Sequence, residues 1–222
     1  MRILFFIFLL VPCVSVSQRS RYEKEISAFH QVRIDSLKHE NGWLNLAGLF
    51  WLKEGENTIG SDPQNDFIFP SDHSDSFLGK IILEKGIVTF KSSAVNQVFS
   101  IGRPVSQAII YKDLKPLVLV HKSLRFFILK RGDQYALRLR DLDGEYVHSF
   151  KGITYFSLDP SWRIQAKFVP TQGKKLRITD ITGRTYLEDS PGELHFTIKG
   201  RKYMLAAGGT TDEFFIVFGD LT

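Results

Sequence analysis

Apolar and polar positions alternate with period two through most of the chain, in short runs broken by turn residues, which is the pattern of half-buried strands. Leu137 and Leu139 alternate with Arg138 and Arg140. Trp162, Ile164, Ala166 and Phe168 alternate with Arg163, Gln165 and Lys167, predicting a strand over Trp162–Val169. Hairpins are predicted where paired runs flank Glu84-Lys85-Gly86, Arg131-Gly132-Asp133-Gln134 and Lys199-Gly200-Arg201, because Gly and its neighbours supply the backbone these turns need. Glu54-Gly55-Glu56-Asn57 reads as a further turn. Turn signals every ~8–12 residues favour a sandwich or barrel over alternating α/β units.

One stretch breaks this rhythm. Over Ser20–Lys38, Tyr22, Ile26, Phe29, Val32 and Leu37 fall near one helical face, and Asn41-Gly42 stops the run. The apolar, aromatic segment Trp43–Leu52 then reads as a buried strand or turn anchoring that helix. The fold class expected is therefore all-β, one or two sandwich- or barrel-like units with an N-terminal amphipathic helix. The units are expected at 41–140 and 141–222, divided near Asp141-Leu142-Asp143-Gly144, with the helix at 18–40.

The N-terminus changes the compartment. Met1-Arg2 is followed by an apolar run over Ile3–Val11, then Pro12, and Ser15 and Ser17 place small residues before a cut at Gln18. That is the layout of a cleavable secretory signal over 1–17, and the protein is expected to be exported, periplasmic or secreted. The run is shorter than the ~20 apolar residues of a membrane-spanning helix, and no later segment approaches that length. Cys13 is the single cysteine and lies within the signal. Lipidation at Cys13 is the alternative to ordinary cleavage, but Pro12 stands where such sites need a small flexible residue. Ordinary cleavage leaves no disulfide, no thiolate metal ligand and no thiol nucleophile.

Composition adds less. Phe numbers 19, ample bulk for a core, and the formal charge is +5. The lysines and arginines are interleaved with strand residues, so they read first as solvated, aggregation-blocking strand surface and second as a field for anionic partners. Export argues against nucleic acid as a partner.

Four segments resemble a bacterial family known as domain of unknown function 1684. They are Asn41–Leu52 leading into Gly55–Ser61; Leu137–Asp141 followed by Phe150–Phe156; Asp159–Phe168; and Phe214–Thr222. The resemblance implies no settled activity. It also implies a continuation beyond Thr222 carrying a Thr-Tyr-Gly-like turn, an Arg-Tyr pair and an Asn-Pro-Cys region, so this chain is expected to be a truncated or altered member. A weaker likeness, over Asn57–Phe69, is to the opening of forkhead-associated domains, β-sandwiches that bind phosphothreonine. Here Ser61 stands where those domains carry a phosphate-holding Arg, and Asp72-His73-Ser74-Asp75-Ser76 replaces their Ser-Arg-x-x-His element. The likeness therefore implies sandwich geometry rather than phosphopeptide binding.

Asp62, Asn65, Asp66, Asp72, His73 and Asp75 crowd two loops, either as hard oxygen ligands for Ca²⁺ or as ordinary turn-capping residues, the latter favoured by the absence of EF-hand spacing. The six histidines form no HxH or HExxH pattern, and no G-x-S-x-G elbow occurs, so no metal and no cofactor is expected. The polar set that stands out is Arg138, Arg140 and Arg163 with Trp162 and Tyr155. Guanidinium beside aromatic rings can clamp a carboxylate, phosphate or sugar. The competing reading pairs Arg163 with Asp159, or Arg140 with Asp141, to fix a turn. Two functions follow: a non-catalytic exported binding or envelope-associated module for a small anionic or glycan ligand, or an envelope hydrolase whose site lies in the second unit and is incomplete without a C-terminal continuation.

Overall fold

The computed structural model describes residues 14–94, 97–179 and 183–217, so part of the expected signal, 1–13, lies outside the described residues. The chain is all-β with an N-terminal helix, and it divides into two compact units. The larger runs from Glu23 to Tyr155; the smaller collects the helix residues up to Tyr22 and the chain from Phe156 on.

Helix α1 (Val14–Lys38) begins earlier than the expected Ser20. Its apolar face is only partly used: Ile26 and Leu37 are half-buried, whereas Phe29 and Val32 are 60% and 66% exposed. Within the larger unit α1 is held by ring contacts. His30 stacks on Tyr155 at 3.5 Å with an interplanar angle of 6°, and Lys38 Nζ lies 5.8 Å from the Phe150 ring.

Twelve strands follow in the larger unit: β1 (Leu46–Trp51), β2 (Gly55–Gly60), β3 (Phe67–Ile68), β4 (Gly79–Glu84), β5 (Ile87–Ser92), β6 (Phe99–Ser100), β7 (Arg103–Pro104), β8 (Gln107–Lys112), β9 (Lys115–Pro116), β10 (Leu119–His121), β11 (Leu124–Arg131) and β12 (Gln134–Asp141). A short helix α2 (Glu145–Ser149) comes after them. They form two six-stranded sheets, ordered β1-β12-β11-β10-β6-β7 and β3-β2-β4-β5-β8-β9. Pairing is antiparallel except between β2 and β3.

One face of each sheet closes on the other. Leu124, Phe126 and Ile128 of β11 and Leu137 and Leu139 of β12 meet Ile81, Leu83, Val88 and Phe90 of β4 and β5 in a single buried cluster. Phe126 makes edge-on contacts with Phe69 and Phe90 at 5.7 and 6.0 Å, a geometry that favours the positive ring edge against a neighbouring face. The period-two rule then sends Arg125, Phe127, Arg138 and Arg140 to the outer face.

Two expectations are corrected here. Gly55–Asn57 belongs to β2 rather than to a turn, because the fully buried Asn57 side chain supplies the turn's bonds itself. Its Oδ1 accepts from Lys53 N–H, and its amide donates to the carbonyls of Lys53, Gly55 and Ile81. Trp43 and Trp51 are 76% and 44% exposed, so the Trp43–Leu52 stretch is not buried throughout; β1 lies at the edge of its sheet, with β12 its one neighbour among the described residues.

In the smaller unit a 3-10 turn (Pro160–Trp162) precedes β13 (Lys167–Pro170), β14 (Lys175–Thr179), β15 (Thr185–Asp189), β16 (Gly192–Ile198), β17 (Arg201–Gly209) and β18 (Phe214–Phe215). β13, β16, β17 and β18 form one sheet in that order, and β14–β15 is a separate hairpin. The strand expected over Trp162–Val169 starts only at Lys167. The Asp159 carboxylate accepts from Ser161 N–H and caps the 3-10 turn, which takes Trp162 out of extended conformation.

Candidate functional site

The outer face of the first sheet carries a concavity of mixed polar and apolar lining, and strand register builds it. Arg125 of β11 lies directly opposite Arg140 of β12, and Phe127 opposite Arg138. Val120 of β10 pairs with Arg125 on the other side, and Phe99 of β6 follows Val120. The result is a groove of about 440 Å³ walled by Leu117, Val118, Val120, Phe127 and Ile101, with the guanidinium groups of Arg125 and Arg140 at one end and Glu40 among its lining. That volume lies in the ~300–1,000 Å³ range of small-molecule sites.

Arg140 is the unusual member. One terminal nitrogen donates to the Gly42 carbonyl at 2.5 Å, while Nε is buried and has no hydrogen-bond partner. Gly42 itself must be glycine where the chain leaves α1, since a Cβ there would lie 2.2 Å from the Leu37 carbonyl oxygen. Arg125 donates to the carbonyls of Lys122 and Leu124, both at 3.0 Å. Among the described residues no carboxylate stands within ion-pair distance of Arg125, Arg138 or Arg140. Burial pushes the Arg140 guanidinium below its ordinary pKa; Arg138 is lowered by burial first and then by the charges of Arg131 and Arg140. These are uncompensated, partly desolvated cations with donors to spare. A buried donor left unmade costs about 1–3 kcal/mol, which an anion in the groove would relieve.

The expected polar set is thus only partly brought together. Arg138 and Arg140 share the outer face of β12. Tyr155 belongs to the same unit but stacks on His30, its hydroxyl buried without a partner, and does not line the groove. Trp162 and Arg163 belong to the smaller unit, where Trp162 is 65% exposed and the Arg163 guanidinium lies 5.7 Å from the Tyr22 ring centre. The pairing of Arg140 with Asp141 is corrected: neighbours on a strand point to opposite faces, and Asp141 turns away to His73. Arg125, Phe127, Val118 and Ile101 were missed. The alternation of Arg125 and Phe127 with Leu124, Phe126 and Ile128 was the available signal for two of them.

A second polar cluster gathers around Asp141, the last residue of β12. The His73 Nδ1 is 2.5 Å from Oδ2 of the buried Asp141, and its Nε2 is 3.7 Å from Asp143, which also meets His148 at 2.6 Å. The hydrogen bond to Asp141, reinforced by the charges of Asp141, Asp143 and Asp72, raises the His73 pKa against its partial burial. Burial alone would raise the Asp141 carboxyl, but bonds from His73 and the Asp143 N–H hold it below the usual carboxylate range. A histidine bonded to one carboxylate and close to a second ties the loop that carries it to the end of β12 and acts as a clamp. Asp75 stands apart from this clamp, accepting from Lys122 and Gln97, both at 2.8 Å. Of the loop residues first considered as cation ligands, Asp62 accepts from Gln64 N–H and Asp66 from Thr58 N–H and hydroxyl, while Asn65 donates to the carbonyls of Asp62 and Ser76. Among the described residues no group of three or more His, Cys, Asp or Glu side chains is arranged to hold a metal ion. Nor is any helix among them long and apolar enough to cross a membrane.

No curated protein matches the chain. Two solved structures share a likeness with part of it. One belongs to a study of phosphothreonine-dependent FHA domain interactions, at 16% identity and a TM-score of 0.29, covering 41% of this chain and 92% of that one. The other is the FhaA FHA domain in complex with the intracellular domain of a second protein, at 15% identity and a TM-score of 0.26, covering 41% and 97%. The third comparison concerns the C-terminal part of the chain: residues 148–222 match the family described as protein of unknown function DUF1684.

Proposed function

We propose that this protein is a non-catalytic binding module that takes a small anionic ligand in the groove over β10, β11 and β12. The observation that carries the reading is the Arg140 guanidinium, whose Nε is buried and unpartnered beside a second arginine, Arg125, with no carboxylate among the described residues in ion-pair reach of either. Two like charges opposite each other on a sheet destabilise it, so the arrangement gains when an anion bridges them. An anion fits this lining better than a glycan does, because Phe127 is the one aromatic ring in a wall that is otherwise aliphatic, while two arginines supply the cationic donors. The histidine clamp supports the non-catalytic side of the reading, since the His73 imidazole is committed to the Asp141 carboxylate at 2.5 Å.

Titration calorimetry with a panel of small carboxylates and phosphates tests the site. At least one should bind, and Arg140→Gln should abolish that binding while leaving the fold intact. Binding by no member, or binding indifferent to Arg140→Gln, contradicts the reading. The module is proposed to act outside the cytoplasm, on the strength of the Met1-Arg2 start, the Ile3–Val11 apolar run and Ser15 and Ser17. Removing residues 1–17 should leave the protein inside the cell; export without them contradicts the assignment.

A further inference from the structure

The groove has two ends of different chemistry, and its lip carries a residue that the fold itself does not need. Hairpin β6–β7 turns on Ile101 and Gly102, whose φ values are +50° and +71°. Left-handed backbone at both central positions is the type I′ turn, where Asn-Gly is the favoured pair. Gly102 fits. Ile101 does not, because a β-branched side chain crowds the backbone at positive φ. Nor does burial compensate, since Ile101 is 90% exposed. A large aliphatic side chain thus sits in strained backbone, in water, on the rim of the groove. Val118, facing the same space, is 45% exposed. Strained residues of this kind cluster where a ligand supplies the missing contacts.

Building on the anion reading, we infer that the ligand is an amphipathic monocarboxylate: a carboxylate head held by Arg140 and Arg125, and an aliphatic tail lying along Phe127, Val120 and Val118 under Ile101. Charge supports a single negative head. One terminal nitrogen of Arg140 is already given to Gly42, and Glu40 lines the same groove, so a doubly charged phosphate head meets fewer donors and an opposing carboxylate. Shape supports a tail, because Ile101, Pro116, Leu117, Val118, Val120 and Phe127 outnumber the polar lining residues. A short polar anion would leave these apolar side chains facing water and gain nothing from them.

The test is calorimetric titration of the full chain with decanoate, acetate and inorganic phosphate, with Ile101→Asn and Val118→Asp as variants. Decanoate should bind at least about tenfold more tightly than acetate, as burial of several methylenes requires. Ile101→Asn should weaken decanoate binding several-fold and raise the melting temperature, because Asn suits the turn better than Ile does. A merely structural Ile101 would give the opposite sign in stability. Val118→Asp, at an exposed position, should fold normally and weaken decanoate most. Equal affinity for acetate and decanoate, abolished in both cases by Arg140→Gln, would overturn the tail while leaving the anion site standing. Binding of none of the three would remove both. Protein that sediments with phosphatidylglycerol vesicles yet shows no affinity for monomeric decanoate would also overturn the inference, placing the acyl chain in a bilayer rather than in the groove.

Discussion

The two units of this chain are both β-sheet, yet they are held together differently. The larger interlocks Phe69, Phe90 and Phe126 between two sheets, with Ile59, Leu78, Ile81, Leu119, Leu124 and Leu139 fully buried around them. In the smaller, Ala207 is the single buried hydrophobic residue among those described, and Leu187, Met204, Phe215 and Val217 are at least half exposed. Its order comes from hairpin ladders, from the Phe168–Phe214 contact at 4.9 Å, and from the buried Ser190 hydroxyl bonded to the Ala207 carbonyl at 2.7 Å. Burial of apolar area dominates folding free energy, whereas net hydrogen bonds contribute little each. The contrast teaches where a binding groove can be built: two arginines need a stiff platform, and β11 and β12 are backed by the buried cluster of the larger unit.

The sharpest way to break this contrast is to truncate one ring in each unit. Phe126→Ala should cost about 3–5 kcal/mol, transfer plus cavity, in urea unfolding followed by far-ultraviolet circular dichroism. Phe214→Ala, at a half-buried ring, should cost about 1 kcal/mol. Equal losses would mean that the smaller unit has a core of its own after all.

The next effect is expected at the clamp. His73→Ala leaves the buried Asp141 carboxylate short of a partner and should cost about 1–3 kcal/mol near pH 6. Its pH dependence has a definite sign. His73 is raised when folded, so its contribution is complete below the unfolded histidine pKa of about 6.5 and fades as pH climbs through the folded value. Asp141 is lowered, so its contribution is complete above about pH 4 and is lost as pH falls through its folded value. The stability gap between wild type and His73→Ala should therefore be widest between about pH 4 and 6.5 and narrow towards pH 9, read from melting temperatures across that range. A gap that widens above pH 7 would contradict the clamp.

The smallest effect belongs to the smaller unit. Arg163→Ala removes the guanidinium from beside the Tyr22 ring and should lower stability by about 0.5–1 kcal/mol, measured by urea unfolding. A loss as large as that at Phe126 would show that this arginine organises the unit.

The hairpins were legible because their turns are local. Lys85-Gly86 and Lys199-Gly200 both adopt positive φ where the turn chemistry asks for it. The sandwich was legible for the same reason the core is: alternate residues of β11 and β12 are apolar. What could not be read was anything assembled across strands. Arg125 and Arg140 sit on the two arms of a predicted hairpin, but which residues face each other depends on its register, and Ile101 joins them only because β6 lies beside β10. His73 and Asp141 meet across a separation of 68 positions with no motif to mark them. Trp162 and Arg163 were read into one site with Arg138 and Arg140 because sequence alternation looks alike everywhere, and the Asp159 cap that breaks the strand there is a side-chain bond that alternation does not encode.

The central claim is that Arg140, not Arg163, is the ligand-holding arginine. Nitrogen-15 spectra of the arginine Nε–H groups, recorded while decanoate is added, test it most directly. The account predicts that the Arg140 signal, from a donor with no partner in the free protein, moves most, that Arg125 moves with it, and that Arg163 stays in place. Movement at Arg163 with Arg140 unchanged would contradict it.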